Sequence, residues 1–223
     1  MDTDGVLGML QEVAAEVITP RFGHLDPEDV ASKAHRFDLV TVADREAEVA
    51  ITARLRSLFP DAVVVGEESV AADPRLLAGV GAPHAFTVDP VDGTRHFVAG
   101  SPDHAVMLAE LRAGEVVRSW IWQPQHGRAF VAERGAGAYA DGVRLAPPSS
   151  RPGRLLTLTA SGIDYPRLAE GSARLGVFPK TKPWDHAPGS LLLTEAGGRV
   201  GSPSGRPYSP GTWTGRVLVA HRG

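Results

Sequence analysis

Cysteine is absent from all 223 residues of this sequence. Its absence excludes disulfides, thiolate zinc sites, iron–sulfur clusters and a cysteine nucleophile within this chain. A chain without cysteine also suits a reducing compartment, and we therefore expect a cytoplasmic protein.

Long apolar runs and a surplus of basic residues are absent as well. Runs such as 62–65 (AVVV) are far too short to span a bilayer, and the acidic N-terminal segment does not resemble a signal peptide. Lysine and arginine total 23 against 26 acidic residues, so we expect neither a nucleic acid nor a membrane as a partner. With 43% hydrophobic and 22% charged residues, the composition is that of a folded globular protein.

The periodicity of the apolar residues predicts an α/β or α+β layered protein. Helices are predicted where apolar residues recur every three or four positions, at 6–18, 41–58, 165–169 and 188–196. Strands are predicted where short apolar runs lie between turn residues, at 62–65, 85–88, 104–111, 116–122, 128–133, 138–139, 155–159 and 217–220. The polar segment 26–37 predicts a loop.

Carboxylates cluster where predicted strands end or a helix begins. Glu67 and Glu68 follow a strand in VVVGEES, Asp89 and Asp92 follow the next strand in TVDPVDGTRHF, and Asp185 lies near a helix start in KPWDHAPGS. Ligand sites in α/β proteins favour the ends of strands. Ligand sets made only of oxygen suit hard cations such as Mg²⁺, Mn²⁺ or Ca²⁺.

The segment from Asp89 to Thr94 combines two kinds of binding group. Pro90 blocks continuation of the strand, so we expect a turn that directs both aspartates and the Val91 carbonyl toward one point. Gly93 and Thr94 are predicted to open a helix, whose free amides bind phosphate. This combination fits metal-assisted transfer of a phosphoryl group to water, in which two cations roughly 3.5–4 Å apart hold the attacking and leaving oxygens.

Each of these residues also has a purely structural interpretation. Asp89 and Asp92 could form an Asx turn, and Glu67 and Glu68 could be a solvated strand exit. Asp185 and Thr94 could be helix caps. Asp44 could serve only as the capping-box partner of Thr41.

Taken together, the motifs resemble the inositol monophosphatase family, a branch of the lithium-sensitive, Mg²⁺-dependent phosphatases. Its patterns GEE(S/T), DP(I/V)DGT-x-NF and WD-x-A-(A/P)-G correspond, in order, to Gly66–Ser69, Asp89–Phe97 and Trp184–Gly189. Lys33 with Asp38–Asp44, and Glu133–Tyr139, also resemble the family. The resemblance covers nearly the whole chain and implies a sandwich of alternating α-β-α-β-α layers. In this fold, residues 1–146 form an N-terminal α+β part with most of the metal ligands, and residues 147–223 form a C-terminal α/β part.

The resemblance also implies roles for individual residues. Glu67, Asp89 and the Val91 carbonyl correspond to ligands of a first metal, and Asp89, Asp92 and Asp185 to ligands of a second. Thr94 corresponds to the catalytic residue that orients the attacking water, with Asp44 as its hydrogen-bond partner and Glu67 as a further catalytic residue. The remaining correspondences are the phosphate-binding amides of Gly93 and Thr94, and the third-metal or substrate positions Lys33, Glu68, Ser161, Gly162 and Phe178.

The chain departs from the family pattern in three places. It lacks a helix and a strand after 155–159 and a helix after the last strand, so it is either a trimmed member or a sequence from which internal segments are missing. His96 replaces the usual Asn of DGT-x-NF. Phe178 stands where inositol-binding members often carry a Glu, and a ring cannot accept a hydrogen bond from a substrate hydroxyl, which is costly to bury unpaired.

The function implied by the resemblance is hydrolysis of a small phosphorylated metabolite (a polyol or inositol phosphate, a sugar phosphate or a related ester) by a water that Mg²⁺ activates. Two or three Mg²⁺ ions, with Mn²⁺ as a possible substitute, and a homodimer are implied as well. Two alternatives remain open. One is a catalytically weak member that binds metal and phosphate and works through protein contacts. The other is a phosphatase of a nucleotide 3′-phosphate or histidinol phosphate.

Overall fold

The computed structural model describes residues 1–32, 39–146, 154–157, 159–179, 181–215 and 218–221. Its helices are α1 (Thr3–Val13), α2 (Val42–Leu58), α3 (Glu67–Ala72), α4 (Thr94–Val98), α5 (Ser161–Glu170) and α6 (Pro183–Glu195). Its strands are β1 (Val30–Ser32), β2 (Leu39–Thr41), β3 (Val63–Gly66), β4 (His84–Asp92), β5 (Ala105–Arg112), β6 (Glu115–Gln123), β7 (Arg128–Glu133), β8 (Gly137–Ala140), β9 (Val143–Arg144), β10 (Arg154–Thr157), β11 (Ala173–Phe178), β12 (Arg199–Gly201) and β13 (Leu218–His221).

The strands form two large sheets and one small ribbon. The seven-stranded sheet has the order β3-β4-β5-β6-β7-β8-β9, in which only β3 and β4 are parallel. The four-stranded sheet has the order β10-β11-β13-β12, with β10 and β11 parallel. The short strands β1 and β2 pair as an antiparallel ribbon. Both large sheets are thus mixed.

The seven-stranded sheet is buried on both faces, because successive side chains of a strand point to opposite sides. Phe86, Leu108 and Trp120 pack with α1 and α2 on one face. Met107 and Ile121 pack on the other face in a core that includes α5, α6 and the four-stranded sheet. Helix α6 contacts strands of both sheets. The layers therefore alternate α, β, α, β, in agreement with the predicted layered fold, and the described part of the chain has no helix after α6.

The first helix shows how a local irregularity changes a predicted stripe. A π-helical turn, Ala14–Ile18, continues α1. Val6, Leu10 and Val13 are buried as predicted, but Val17 is only half-buried and Ile18 is buried instead. An i→i+5 turn adds a residue to the helical repeat, which rotates the next apolar position into the core. In α2, likewise, the stripe ends at Leu55, and Leu58 is exposed.

Several predicted boundaries were wrong. Part of the segment predicted as a loop forms β1, while residues 33–38 lie outside the described residues. Helix α5 begins at Ser161 and α6 at Pro183, both earlier than predicted. Pro183 is accommodated in the first turn of α6, whereas Pro166 and Pro188 lie inside their helices. Strands β2, β9, β11 and β12 were not predicted. In β11, Arg174 and Gly176 interrupt the apolar run that would have signalled a strand.

The proposed boundary at residues 146 and 147 stays a prediction, since 147–153 lie outside the described residues. The larger core cluster contains residues from both sides of that boundary, from Val65 to Ala220. Within the described chain, no helix is both long enough and apolar enough to cross a membrane.

Candidate active site

Three predicted metal ligands come together at one point. Glu67 begins α3 directly after β3, Asp89 lies in β4, and Asp185 lies in the first turn of α6. One carboxylate oxygen of each lies within 4.8 Å of the others. Asp89 is 2% exposed, whereas Glu67 and Asp185 are half-buried. The parallel pairing of β3 with β4 brings the first two together, and the packing of α6 against the sheet adds the third.

Strand β4 does not end at Pro90 as predicted. It continues to Asp92, and its register with β5 shifts between Asp89 and Asp92. Proline has no N–H to donate, but a bulge leaves residues out of the ladder, so its presence costs no ladder hydrogen bond there. The Val91 amide donates instead to Asp89 Oδ1 at 3.1 Å. The irregularity therefore fixes the Asp89 side chain.

Asp92 is not a member of the three-carboxylate group. Its side chain lines the same cavity and is 8% exposed. Its Oδ2 accepts a hydrogen bond from the Gly162 amide at 2.6 Å, at the first turn of α5. Val91, whose carbonyl is the predicted backbone ligand, also lines the cavity. Its carbonyl oxygen accepts a hydrogen bond from the Thr94 hydroxyl at 3.1 Å.

Thr94 and Asp44 are in contact across 50 residues. The Thr94 hydroxyl lies 3.1 Å from Asp44 Oδ1 and 3.1 Å from the Val91 carbonyl oxygen, so its single proton is shared or goes to one of them. The other carboxylate oxygen of Asp44 accepts the Thr41 amide at 2.9 Å and the Thr41 hydroxyl at 2.5 Å. This is the predicted capping box of α2. Asp44 is therefore both a helix cap and the partner of Thr94.

Burial and neighbouring charges raise the pKa of Asp89, Asp92 and Asp44. Burial, and then the charges of Glu67, Asp92 and Asp185, raise the pKa of Asp89 well above its usual value. Burial raises the pKa of Asp92 to about 7, although the Gly162 amide opposes this shift. Burial likewise raises the pKa of Asp44 to about 6. Carboxylates that are close together and removed from water are costly to ionise, and a hard divalent cation, which takes oxygen ligands, would offset this cost. The donor set therefore fits Mg²⁺.

A cavity of about 650 Å³ opens over these carboxylates. The predicted residues Gly93, Thr94, Ser161 and Phe178 line it. Gly162 lies beneath it, against Asp92. Glu68 does not line the cavity, and its amide donates to the Glu48 carboxylate at 2.7 Å. Lys33 lies outside the described residues.

Leu39, Arg95, His96 and Asp164 also line the cavity, although the sequence had not indicated a binding role for any of them. Arg95 and His96 follow Thr94 in the first turn of α4. The place of Arg95 and His96 directly after the predicted phosphate-binding residues was a signal for both. Asp164 is buried and accepts the Thr159 amide at 2.9 and 3.1 Å, and its place two residues after Gly162, a predicted third-metal or substrate position, was a weaker signal.

An aromatic cluster forms another part of the lining. The Phe178 ring stacks on Tyr165, with centroids 5.1 Å apart and planes 13° apart, and meets His186 at 5.0 Å and 62°. Tyr165 Oη and His186 Nδ1 are 3.0 Å apart. His186 is 1% exposed. Phe178 is thus held between two rings and lines the cavity only with a small exposed part.

Comparison with known proteins gives a consistent result. The model of the inositol monophosphatase family matches residues 6–158 and 149–223. A fructose-1,6-bisphosphatase/inositol-1-monophosphatase of Thermotoga maritima is 28% identical over 211 aligned residues, covering 83% of this chain and 78% of that protein. The Nus factor SuhB of Pseudomonas aeruginosa is 30% identical over 223 aligned residues, covering 84% and 80%.

The fold is similar to that of a solved IMPase of Thermotoga maritima, with a TM-score of 0.85 at 24% identity. That likeness covers 99% of this chain and 91% of the other. The family model covers nearly the whole chain, and a relative of 30% identity is matched over most of its length. The chain therefore belongs to the inositol monophosphatase family, whose members are phosphoric monoester hydrolases.

Proposed function

We propose that this protein is a Mg²⁺-dependent phosphomonoesterase that acts on a small phosphorylated polyol, sugar or related metabolite. The observation that carries the proposal is the convergence of Glu67, Asp89 and Asp185 beneath the cavity, with carboxylate oxygens within 4.8 Å of one another. Three like charges at this distance repel one another. A divalent cation bound between them would offset this repulsion.

The residues that would hold Mg²⁺ fall into two sets. Glu67, Asp89 and Asp185 form one set by their geometry. Asp92 and the Val91 carbonyl, which line the same cavity, extend it according to the family pattern. Bound Mg²⁺ would supply Lewis acidity toward the phosphate and would lower the pKa of a bound water.

Thr94 and Asp44 would orient the attacking water. While the Thr94 hydroxyl donates to Asp44 Oδ1, its oxygen can accept a hydrogen bond from that water. Asp44 itself is fixed by the two hydrogen bonds from Thr41. The water oxygen then bonds to phosphorus as the bond between phosphorus and the ester oxygen breaks. The proton that the water loses ends on the leaving oxygen, and the products are phosphate and an alcohol. The amides of Gly93 and Thr94 would hold the phosphate, and Arg95 and His96 line the cavity near them.

The first experiment measures phosphate release from a panel of phosphorylated polyols, sugars, histidinol and nucleotides, with Mg²⁺ and with chelator. We expect release that requires Mg²⁺. The highest rate in the panel would name the alcohol, which the phosphate-binding residues do not select. If folded protein released no phosphate from any ester in the presence of Mg²⁺, the proposal would be wrong.

A second candidate function is a catalytically weak protein that acts through protein contacts. The similarity to a relative named Nus factor SuhB favours it. Turnover separates the two candidates, because a binding protein would retain metal or phosphate and release no product. We also propose, from the family resemblance, a homodimer located in the cytoplasm. Sedimentation equilibrium of the purified chain tests the dimer.

A further inference from the structure

Helix α5 (Ser161–Glu170) contains a proline at its sixth residue, Pro166. Residue 166 is the one whose amide would donate to the Gly162 carbonyl in a regular helix, since α-helical bonds join residue i to residue i−4. Pro166 has no N–H. The Gly162 carbonyl therefore lacks its ordinary helical donor. Because Gly162 is buried, leaving this hydrogen bond unmade would be costly.

Gln123 supplies that donor from another part of the chain. It is the last residue of β6 and is 5% exposed. Its Nε2 donates to the Gly162 carbonyl at 2.7 Å, across 39 residues of sequence. The side-chain amide thus replaces the backbone amide that Pro166 removes.

The opposite side of Gly162 faces the site. Its amide donates to Asp92 Oδ2 at 2.6 Å. A Cβ at this position would lie 2.5 Å from Ala105 Cβ and 3.1 Å from Asp92 Oδ2, so only glycine allows this approach. Gly162 is therefore held by Gln123 at its carbonyl and holds Asp92 with its amide.

We propose that Gln123 is a positioning residue for Asp92, and that Pro166 makes it necessary. The inference rests on the proposed function, in which Asp92 is a metal ligand. Without Gln123, the Gly162 carbonyl would turn toward water or another donor, and the amide that aims Asp92 would move with it. Outer partners of metal ligands typically contribute about 10- to 100-fold to metal affinity.

The test measures Mn²⁺ binding to the metal-free protein. Binding is measured by titration calorimetry and by the electron paramagnetic resonance signal of free Mn²⁺. Gln123→Met keeps the length of the side chain but cannot donate. We expect its weakest Mn²⁺ site to lose about tenfold in affinity. Pro166→Ala restores an amide at residue 166, so the Gln123→Met/Pro166→Ala double variant is expected to recover most of that affinity. A merely structural role for Gln123 would change the melting temperature without this rescue.

The controls separate this inference from the proposed function. Gln11→Met, the same substitution on α1, should bind Mn²⁺ as the wild type does. If the wild type bound no Mn²⁺, or Asp89→Asn bound it normally, the proposed function would fail. If Asp89→Asn lost binding while Gln123→Met kept full affinity, or if Pro166→Ala gave no rescue, only the positioning role would be overturned.

Should Gln123→Met not fold, the double variant decides the question. A double variant that folds and binds Mn²⁺ with wild-type affinity would support the link between Gln123 and Pro166. A double variant that also fails to fold would overturn it.

Discussion

Two parts of the cavity lining are built from opposite chemistry. Around Asp89, oxygen atoms meet: three carboxylates lie within 4.8 Å, and hydrogen bonds from Val91 and Thr41 hold Asp89 and Asp44. Around Phe178, three aromatic rings meet at centroid distances of 5.0 to 5.9 Å. We call these the acidic floor and the aromatic wall.

From this difference we propose that the two parts divide the tasks of a phosphatase between them. The acidic floor is under electrostatic strain unless a cation is bound, so its residue types are restricted. The aromatic wall is packed like any protein interior and can exchange one apolar shape for another at modest cost. We therefore expect the phosphate chemistry to depend on the floor and the choice of alcohol to depend on the wall. The following substitutions test this division.

The largest effect is expected from Asp89→Asn in the acidic floor. Asparagine keeps an oxygen that can accept the Val91 amide, so the fold should persist. The substitution removes the negative charge of the residue that the family pattern assigns to both cations. Metal stabilisation of developing charge is worth several kcal/mol, so we expect phosphate release to fall roughly a thousandfold. Turnover within tenfold of the wild type, in protein with an unchanged circular dichroism spectrum, would contradict the two-metal assignment.

Phe178→Glu should change the aromatic wall and leave the floor intact. Loss of the stacked ring and burial of a carboxylate should lower the free energy of unfolding by about 3 kcal/mol or more. The new acceptor should raise the rate on inositol phosphate, relative to the other substrates, by about tenfold.

Phe178→Leu is the matched control, because it removes the ring without adding an acceptor. Its substrate ratio should stay at the wild-type value. Equal ratios in Phe178→Glu, Phe178→Leu and the wild type would mean that residue 178 does not face the alcohol.

His104 tests whether the support beneath the floor depends on a neutral ring. It is 1% exposed and packs between Phe22 and Phe97 at 5.1 and 5.0 Å. Burial lowers its pKa to about 4, and His126 and His96 act in the same direction while Asp103 opposes them. Since the folded state disfavours the charged form, stability is full above about pH 6.5 and is lost as the pH falls toward 4. The loss amounts to at most about 3 kcal/mol.

His104→Phe should abolish the part of the loss of stability between about pH 6.5 and 4 that comes from this ring. The measurement is the free energy of urea unfolding at pH 7 and at pH 4.5 for both proteins. The same substitution at the exposed His24 should leave the slope unchanged. A wild-type slope that survived in His104→Phe would show that other groups control acid stability.

The acidic floor was predictable to a large extent from the sequence, and the aromatic wall was not. Glu67 and Asp185 lie where a helix begins, and Asp89 lies near the end of β4, positions that local patterns mark well. Phe178 lies in β11, where Arg174 and Gly176 interrupt the apolar pattern, so the strand was missed. The partners of Phe178 depend on how α5 and α6 pack against that strand.

Long-range hydrogen bonds account for the remaining differences. Asp92 follows Asp89 by only three residues, and spacing alone suggested that both carboxylates share one point. The structure turns Asp92 toward the Gly162 amide, 70 residues away. The bond from Gln123 to Gly162 was equally invisible, because nothing near Gln123 in the sequence marks the carbonyl that Pro166 leaves without its donor.

Glu48→Gln gives the smallest expected effect and tests whether the floor depends on its outer support. Glu48 is 3% exposed and lies on α2. Its two oxygens accept the amides of Glu68 and Ser69 at 2.7 and 2.8 Å, so it fixes the start of α3, where Glu67 lies. A Cβ at Gly66 would lie 2.4 Å from Glu48 Oε1, which explains the glycine before the acidic pair.

Glutamine has a single acceptor oxygen, so Glu48→Gln must lose one of these two amide bonds. A hydrogen bond to a charged group contributes about 1.5–3 kcal/mol, and we expect a loss near the lower end in urea unfolding. The Mg²⁺ concentration for half-maximal activity should rise several-fold, because Glu67 would be less firmly placed. Glu46→Gln on the same helix removes only an exposed ion pair with Arg21, which contributes little. If both variants lost the same stability and kept the same Mg²⁺ requirement, Glu48 would be an ordinary buried residue, and the floor would be fixed by its own strands alone.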